Sequence, residues 1–326
     1  MEPGHHFMRS VLRRGAAAIA AAIMFVAGAR AADRATPERV RTFTVRLDMV
    51  SLAVSVTDAH GRPVVGLERQ NFTILEDGQR QELSLFASEP IPLSLAILVD
   101  TSSSMERTLP SARAAAANLL GPLHPGDEAM VAGFTQRYRV RQDFTTDLPS
   151  LARALDALQA NGGTALYDAV YCTLKEFSDG AKKGELRRRA LVLLTDGEDT
   201  ASLTTEEQAL DLARHAGVVV YTIGFGARPG NASSEAGLRA AHFLTRLASE
   251  SGGLAYFTSR LSDLTGVYAS IAEELRTQYT LGYVPSNARE DGRWRRIAVT
   301  TVPPNFVLRY RMGYFGPRER VQIGSP

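Results

Sequence analysis

The sequence predicts an α/β fold: a doubly wound, mostly parallel sheet inserted in a small β-sandwich-like domain built from both flanks. Three observations carry this reading. Leu95–Val99 and Ala190–Leu194 are continuous apolar runs of strand length, the pattern of strands buried on both faces by covering helices. Between and after them strand patterns alternate with helical ones, which argues for βαβ units. Before Glu89 and after Gln278 strand patterns with turn residues return. Two or three strands are marginal alone, so the simplest solution pairs the two flanks into one β domain.

Taken in order, Arg9, Arg13 and Arg14 precede the apolar run Gly15–Ala29, and Ala29-Arg30-Ala31 fits a small-x-small cleavage site. Residues 1–31 therefore read as a signal peptide, since the run is shorter than the roughly twenty residues of a membrane span. An uncleaved anchor is the alternative. Export to a periplasmic or extracellular location is expected, with no stable membrane span after cleavage. Residues 32–41 read as a polar linker and 42–89 as an N-terminal β segment. In that segment Thr42–Leu47 and Leu52–Thr57 alternate, and Phe72–Glu76 and Glu82–Phe86 flank the hairpin signal Asp77-Gly78.

The α/β region is assigned to 92–277. The strand Leu95–Val99 leads to the Ala-rich helix pattern Leu109–Leu120, then to strands Ala129–Phe134 and Tyr138–Phe144 joined by a tight turn. In Leu148–Leu158, Leu148, Leu151, Leu155 and Leu158 recur at helical spacing. Helix Ala165–Phe177, strand Ala190–Leu194, helix Thr205–Ala216, strand Val218–Phe225, helix Ala236–Glu250, strand Leu254–Thr258 and helix Ser262–Thr277 follow. Residues 278–316 form a C-terminal β segment pairing with 42–89, and 317–326 a tail.

Composition narrows the function. A formal net charge of +2 over 326 residues leaves no electrostatic footprint for nucleic acid. The basic run Lys182–Arg189 reads as a solvated helix end and loop, with binding of an acidic partner as the alternative. Cys172 is the sole cysteine, so no internal disulfide forms, and its helical context suggests a small buried hydrophobe. Asn71-Phe72-Thr73 matches a glycosylation sequon. His60, His124, His215 and His242 are scattered, and no Ser/His or Cys/His pairing for nucleophilic catalysis is evident.

The chemistry concentrates where the apolar runs end. Asp100 closes the first run at a strand's carboxyl end, the edge of an open α/β sheet where ligands bind. Ser102 and Ser104 alternate with it, so three oxygen-bearing side chains can turn toward one point. Carboxylate and hydroxyl oxygens are hard ligands that suit Mg²⁺. The competing reading is a polar helix start with Ser and Asp capping free N–H groups. Gly162-Gly163-Thr164 adds a hydroxyl before a helix, and Thr195-Asp196-Gly197 ends the second run in another carboxylate.

These separated pieces resemble the von Willebrand factor A domain, whose metal-ion-dependent adhesion site uses D-x-S-x-S with a distant Thr and a distant Asp. The matching positions are Asp100, Ser102, Ser104, Thr164 and Asp196, and the five-residue pattern is intact. The leading stretch V-x-V-x-D-x-x-G-x-P-V-x-G-L followed by N-F-x-I-L-E-D-G looks like that of bacterial secreted proteins related to this family. The resemblance implies Mg²⁺, or Mn²⁺ or Ca²⁺, held with one open position that accepts an Asp or Glu carboxylate from a partner protein, in adhesion or envelope-complex assembly. It implies a non-enzyme. A structural scaffold that does not use the metal site is the alternative. A metal-dependent hydrolase fits less well: an aspartate-nucleophile phosphatase wants a second Asp two residues after the first, where Ser102 stands. Asp199 reads as an exposed loop acid near the site rim, and Asp168 as solvated helix surface. Helix Ser262–Thr277 runs directly into the β domain, as the last helix does in A-domains that switch affinity, and the resemblance carries the expectation that ligand binding shifts this helix and tilts one domain against the other.

Overall fold

The computed structural model describes residues 49–89, 91–179, 186–226 and 235–318. The signal peptide and linker expected over 1–41, the strand at 42–47 and the tail beyond Arg318 lie outside the described residues. Three sheets organise the rest.

The central sheet has six strands: β5 (Leu93–Asp100), β6 (Glu128–Phe134), β7 (Tyr138–Thr145), β8 (Arg188–Thr195), β9 (Val219–Phe225) and β10 (Ala255–Thr258). Their order is β10-β9-β8-β5-β6-β7. Every pair is parallel except β6–β7, which is antiparallel and places β7 on the edge. Six helices accompany these strands: α1 (Leu109–Ala117), α2 (Leu148–Asp156), α3 (Leu166–Asp179), α4 (Glu206–Ala216), α5 (Glu235–Ser251) and α6 (Leu261–Thr277). On one face Ile97, Val99, Val131 and Val192 pack against α1, α2 and α6; on the other Leu98, Met130, Leu191 and Leu193 pack against α3, α4 and α5. Adjacent residues of β5 thus serve opposite cores, and every residue of that strand is buried. This two-sided burial is why the run reads as unbroken apolar sequence.

The two smaller sheets have orders β13-β1-β11-β4 and β14-β12-β2-β3. Their strands are β1 (Val50–Thr57), β2 (Phe72–Glu76), β3 (Gln79–Gln81), β4 (Leu83–Ala87), β11 (Tyr279–Tyr283), β12 (Trp294–Thr301), β13 (Val307–Arg309) and β14 (Gly313–Phe315). Residues of both sheets share one core, with Leu52 and Val54 of β1, Ile74 of β2, Leu281 of β11 and Val299 of β12. Antiparallel pairing joins β1 to β11 and β2 to β12, so strands far apart in sequence complete each other's sheets.

The hairpin at Asp77-Gly78 differs from expectation. Both turn residues have positive φ, 47° and 84°, so the return strand pairs at once, Glu76 opposite Gln79. The partner of β2 is therefore the three-residue β3. The segment expected as its partner, 82–86, instead supplies β4, which pairs with β11 in the other sheet.

The basic run is also not simply solvated. Of its described residues, Arg187 donates to Leu93 O and Ser94 Oγ, each at 3.0 Å, and lies 3.5 Å from Glu128. Arg188 is buried, with Nε donating to Ile91 O at 3.0 Å and Nη1 to Leu275 O. At the amino edge of the sheet, backbone carbonyls and Glu128 take these guanidinium groups inside. Cys172 is half-buried rather than buried, and the Asn71 side chain ties Val302 O to Glu68 N–H. Among the described residues no helix is long and apolar enough to cross a membrane.

Candidate metal site

At the carboxyl edge of the central sheet, β5 delivers Asp100 and β8 delivers Thr195 followed by Asp196. Asp100 is fully buried. Its Oδ1 accepts the Ser102 N–H at 2.8 Å, and its Oδ2 accepts the Thr195 hydroxyl at 2.6 Å. The Ser102 and Ser104 hydroxyls lie 3.0 Å apart. Ser102 is buried and Ser104 exposed, so the cluster opens to solvent on the Ser104 side. Asp196 is half-buried and hydrogen-bonded to the Ser104 side chain.

Burial lifts the Asp100 carboxyl from the ordinary range to about 6, against the pull of the Thr195 and Ser102 hydrogen bonds, and the nearby Asp196 charge pushes the same way. Asp196 is raised too, first by burial. Among the described residues no cationic side chain lies within 4 Å of either acid. Holding Asp100 ionised near pH 7 then costs the fold about 3 kcal/mol.

Thr164 is buried in the loop after α2. That loop is pinned to the Ser cluster, since Ser103 N–H donates to Gly162 O at 2.9 Å and Asn161 N–H to Thr101 O at 2.8 Å. It is clamped from the other side by Thr200, whose Oγ1 accepts the Thr164 N–H at 3.0 Å and whose N–H donates to Thr164 O at 2.8 Å. Asp100, Ser102, Ser104 and Asp196 therefore form one hydrogen-bonded neighbourhood, with the Thr164 loop anchored beside it.

Several residues here have roles that single-sequence reading missed. Thr195 orients Asp100 and accepts the Gly197 N–H at 2.9 Å; Gly197 itself has φ 99°, and a Cβ there would sit 2.9 Å from that of Ala240. Asp199 is half-buried rather than an exposed rim acid: its Oδ1 accepts Leu166 N–H and the Ser202 hydroxyl at 2.7 and 2.6 Å. It caps α3 from a distant loop, where a carboxylate suits the helix N-terminus. Asp168 is likewise half-buried and accepts Leu203 and Thr204 N–H at 3.1 and 2.7 Å. The only local signal for these ties was the density of Asp, Ser and Thr over 195–205.

The donor set fits a hard divalent cation: two carboxylates without counter-charge and three hydroxyls, all oxygen. Among the described residues no group of three or more His, Cys, Asp or Glu side chains is placed to hold a metal, so a metal here must lean on the hydroxyls. The described histidines lie on the surface; His215, for example, stacks on Phe315 at 4.1 Å.

The family model described as "von Willebrand factor type A domain" matches residues 94–270. The chain is 30% identical over 142 residues to an uncharacterized protein of Synechocystis, covering 42% of this chain and 33% of that one. It is 26% identical over 247 residues to a UPF0353 protein of Mycobacterium leprae, covering 70% and 71% respectively. Among solved structures it is similar to a von Willebrand factor type A protein from Catenulispora acidiphila, at 16% identity and a TM-score of 0.48, covering 84% of this chain and 67% of that one.

Proposed function

We propose, from the premise that this chain belongs to the von Willebrand factor type A domain family, that it is an exported binding module whose divalent cation receives an Asp or Glu carboxylate from a partner protein. Domains of this family serve mainly in protein–protein interaction or adhesion. The observation that carries the reading is the buried, cation-free Asp100 beside a second carboxylate at the carboxyl edge of the sheet. Mg²⁺ would be held by Ser102, Ser104 and Thr164, with Asp100 and Asp196 acting directly or through water. Bound there, it supplies an electrophilic position for an anionic ligand, because hydroxyls leave more of its charge unneutralised than carboxylates do. Mn²⁺ or Ca²⁺ suits the same oxygens. The leader at 1–31 supports export.

Calorimetric titration of Mg²⁺ and Mn²⁺ into the chain, beside Asp100→Ala, tests the site. Saturable binding that the variant loses is expected, followed by partner capture that a chelator reverses. Equal heats from both chains would favour a scaffold that makes no use of the metal site.

A further inference from the structure

The surface beside this site carries a row of cations with no counter-charge among the described residues. Arg137, Arg139 and Arg141 stand on and just before β7, the edge strand, and all three are exposed. Together with Thr101, Gln159 and Asn161 they line a groove of about 620 Å³. No guanidinium of the three has an ion-pair or hydrogen-bond partner among the described residues, and the nearby Asp143 turns Oδ1 back onto Phe144 N–H at 2.7 Å.

The groove and the metal site share the segment around Thr101 and the loop of Asn161, though none of the five site residues lines the groove. Thr101 lies between Asp100 and Ser102, and its carbonyl accepts the Asn161 N–H. The Gln136 side chain covers Gly162, where a Cβ would fall 2.2 Å from Gln136 Oε1. Gly133 pairs with Arg139 across the two strands, and a Cβ on Gly133 would meet Leu158 Cδ2 at 2.7 Å. A side chain at Gly133 would have to displace the buried Leu158, so the backbone there packs closely against the end of α2. Arg137 lies in the turn before β7 and Arg141 at a register shift of that strand, and with Arg139 they bring three positive charges to the one groove.

We infer that this groove takes an extended acidic segment of the protein ligand. One Asp or Glu goes to the metal site, and further carboxylates on alternate residues pair with Arg137, Arg139 and Arg141. The inference deepens the metal-site reading and rests on it for the first carboxylate only. An extended ligand can present carboxylates along one side, since its alternate side chains point the same way, and complementary charge adds specificity and speed of encounter.

Fluorescence anisotropy of the full chain with Mg²⁺ separates the two readings. The probes are a short peptide with a single Glu among Ser and Thr, a peptide of alternating Glu and Ser, and an oligonucleotide of equal charge. The alternating peptide is expected to bind about tenfold tighter than the single-Glu peptide at low salt, with the gap closing as NaCl is raised. The triple variant R137Q/R139Q/R141Q removes that gap and leaves single-Glu binding unchanged; its exposed positions keep its melting temperature near wild type. Arginine-dependent binding of the alternating peptide that survives Asp100→Ala would sustain the groove and sink the metal site. Equal affinity for the two peptides, or no effect of the triple variant on their ratio, overturns the groove. So does tighter arginine-dependent binding of the oligonucleotide. Self-association of the triple variant with unchanged peptide affinities would mean that the arginines only guard an open strand edge.

Discussion

Two buried acids in this protein live under opposite rules. Glu76, in the β-sandwich core, accepts the hydroxyls of Tyr283 and Tyr314 at 2.7 and 2.9 Å and faces the Arg295 guanidinium at 3.7 Å. Burial, followed by the contact with Glu76, pushes both tyrosine hydroxyls upward, so they stay protonated as donors. Asp100 is as deeply buried, yet among the described residues it meets only the Thr195 and Ser102 hydroxyls, the Ser102 N–H and the charge of Asp196. The first acid is compensated by the chain. The second is left for something outside it, at a cost in stability that structural positions rarely carry.

The comparison breaks most visibly at Arg295. Arg295→Met leaves Glu76 buried without its counter-charge, and a loss of about 3–5 kcal/mol is expected in urea denaturation. A loss below about 1 kcal/mol would erase the contrast between the acids. Asp100 should respond with the opposite sign. Because its folded carboxyl titrates near 6, the native state holds a proton that the unfolded chain releases near 4. Metal-free stability therefore falls as pH rises through that window, by up to about 3 kcal/mol. Asp100→Asn should remove this slope and raise stability near pH 7 by about 1–2 kcal/mol in chelator, while Mg²⁺ binding disappears. Denaturation curves at several pH values check both signs, and destabilisation by Asp100→Asn matching that of Arg295→Met would make the acid structural. A smaller effect sharpens the picture at Thr195. Thr195→Val removes a hydrogen bond that favours the ionised Asp100, so Mg²⁺ affinity should weaken several-fold with about 1 kcal/mol of lost stability. Calorimetry and a melt report the two together, and unchanged affinity would show that Thr195 does not tune the acid.

The same contrast explains what was legible. The strands β5 and β8 are written in contiguous apolar residues, so their ends, and with them Asp100 and Asp196, can be found by local pattern alone. The helices α2 and α4 carry equally local signals, the leucine repeat in one and the capping box of Thr205 with Gln208 in the other. Glu82–Phe86 misled because the hairpin signal fixes the turn but not how long the pairing lasts; β4 leaves for β11 nearly two hundred residues on.

Sequence by itself thus determined the mostly parallel sheet, its covering helices and the carboxylates at two strand ends, because burial on both faces and helical periodicity are properties of consecutive residues. Only the tertiary structure decided what surrounds each charge. Asp199 became a cap for α3 and Asp168 a tie to the loop after β8. Arg187 and Arg188 went inside, while Arg137, Arg139 and Arg141 stayed outside without partners among the described residues. The cost of a buried charge depends on neighbours in space, and those neighbours are brought together by strand order and loop packing across tens to hundreds of residues.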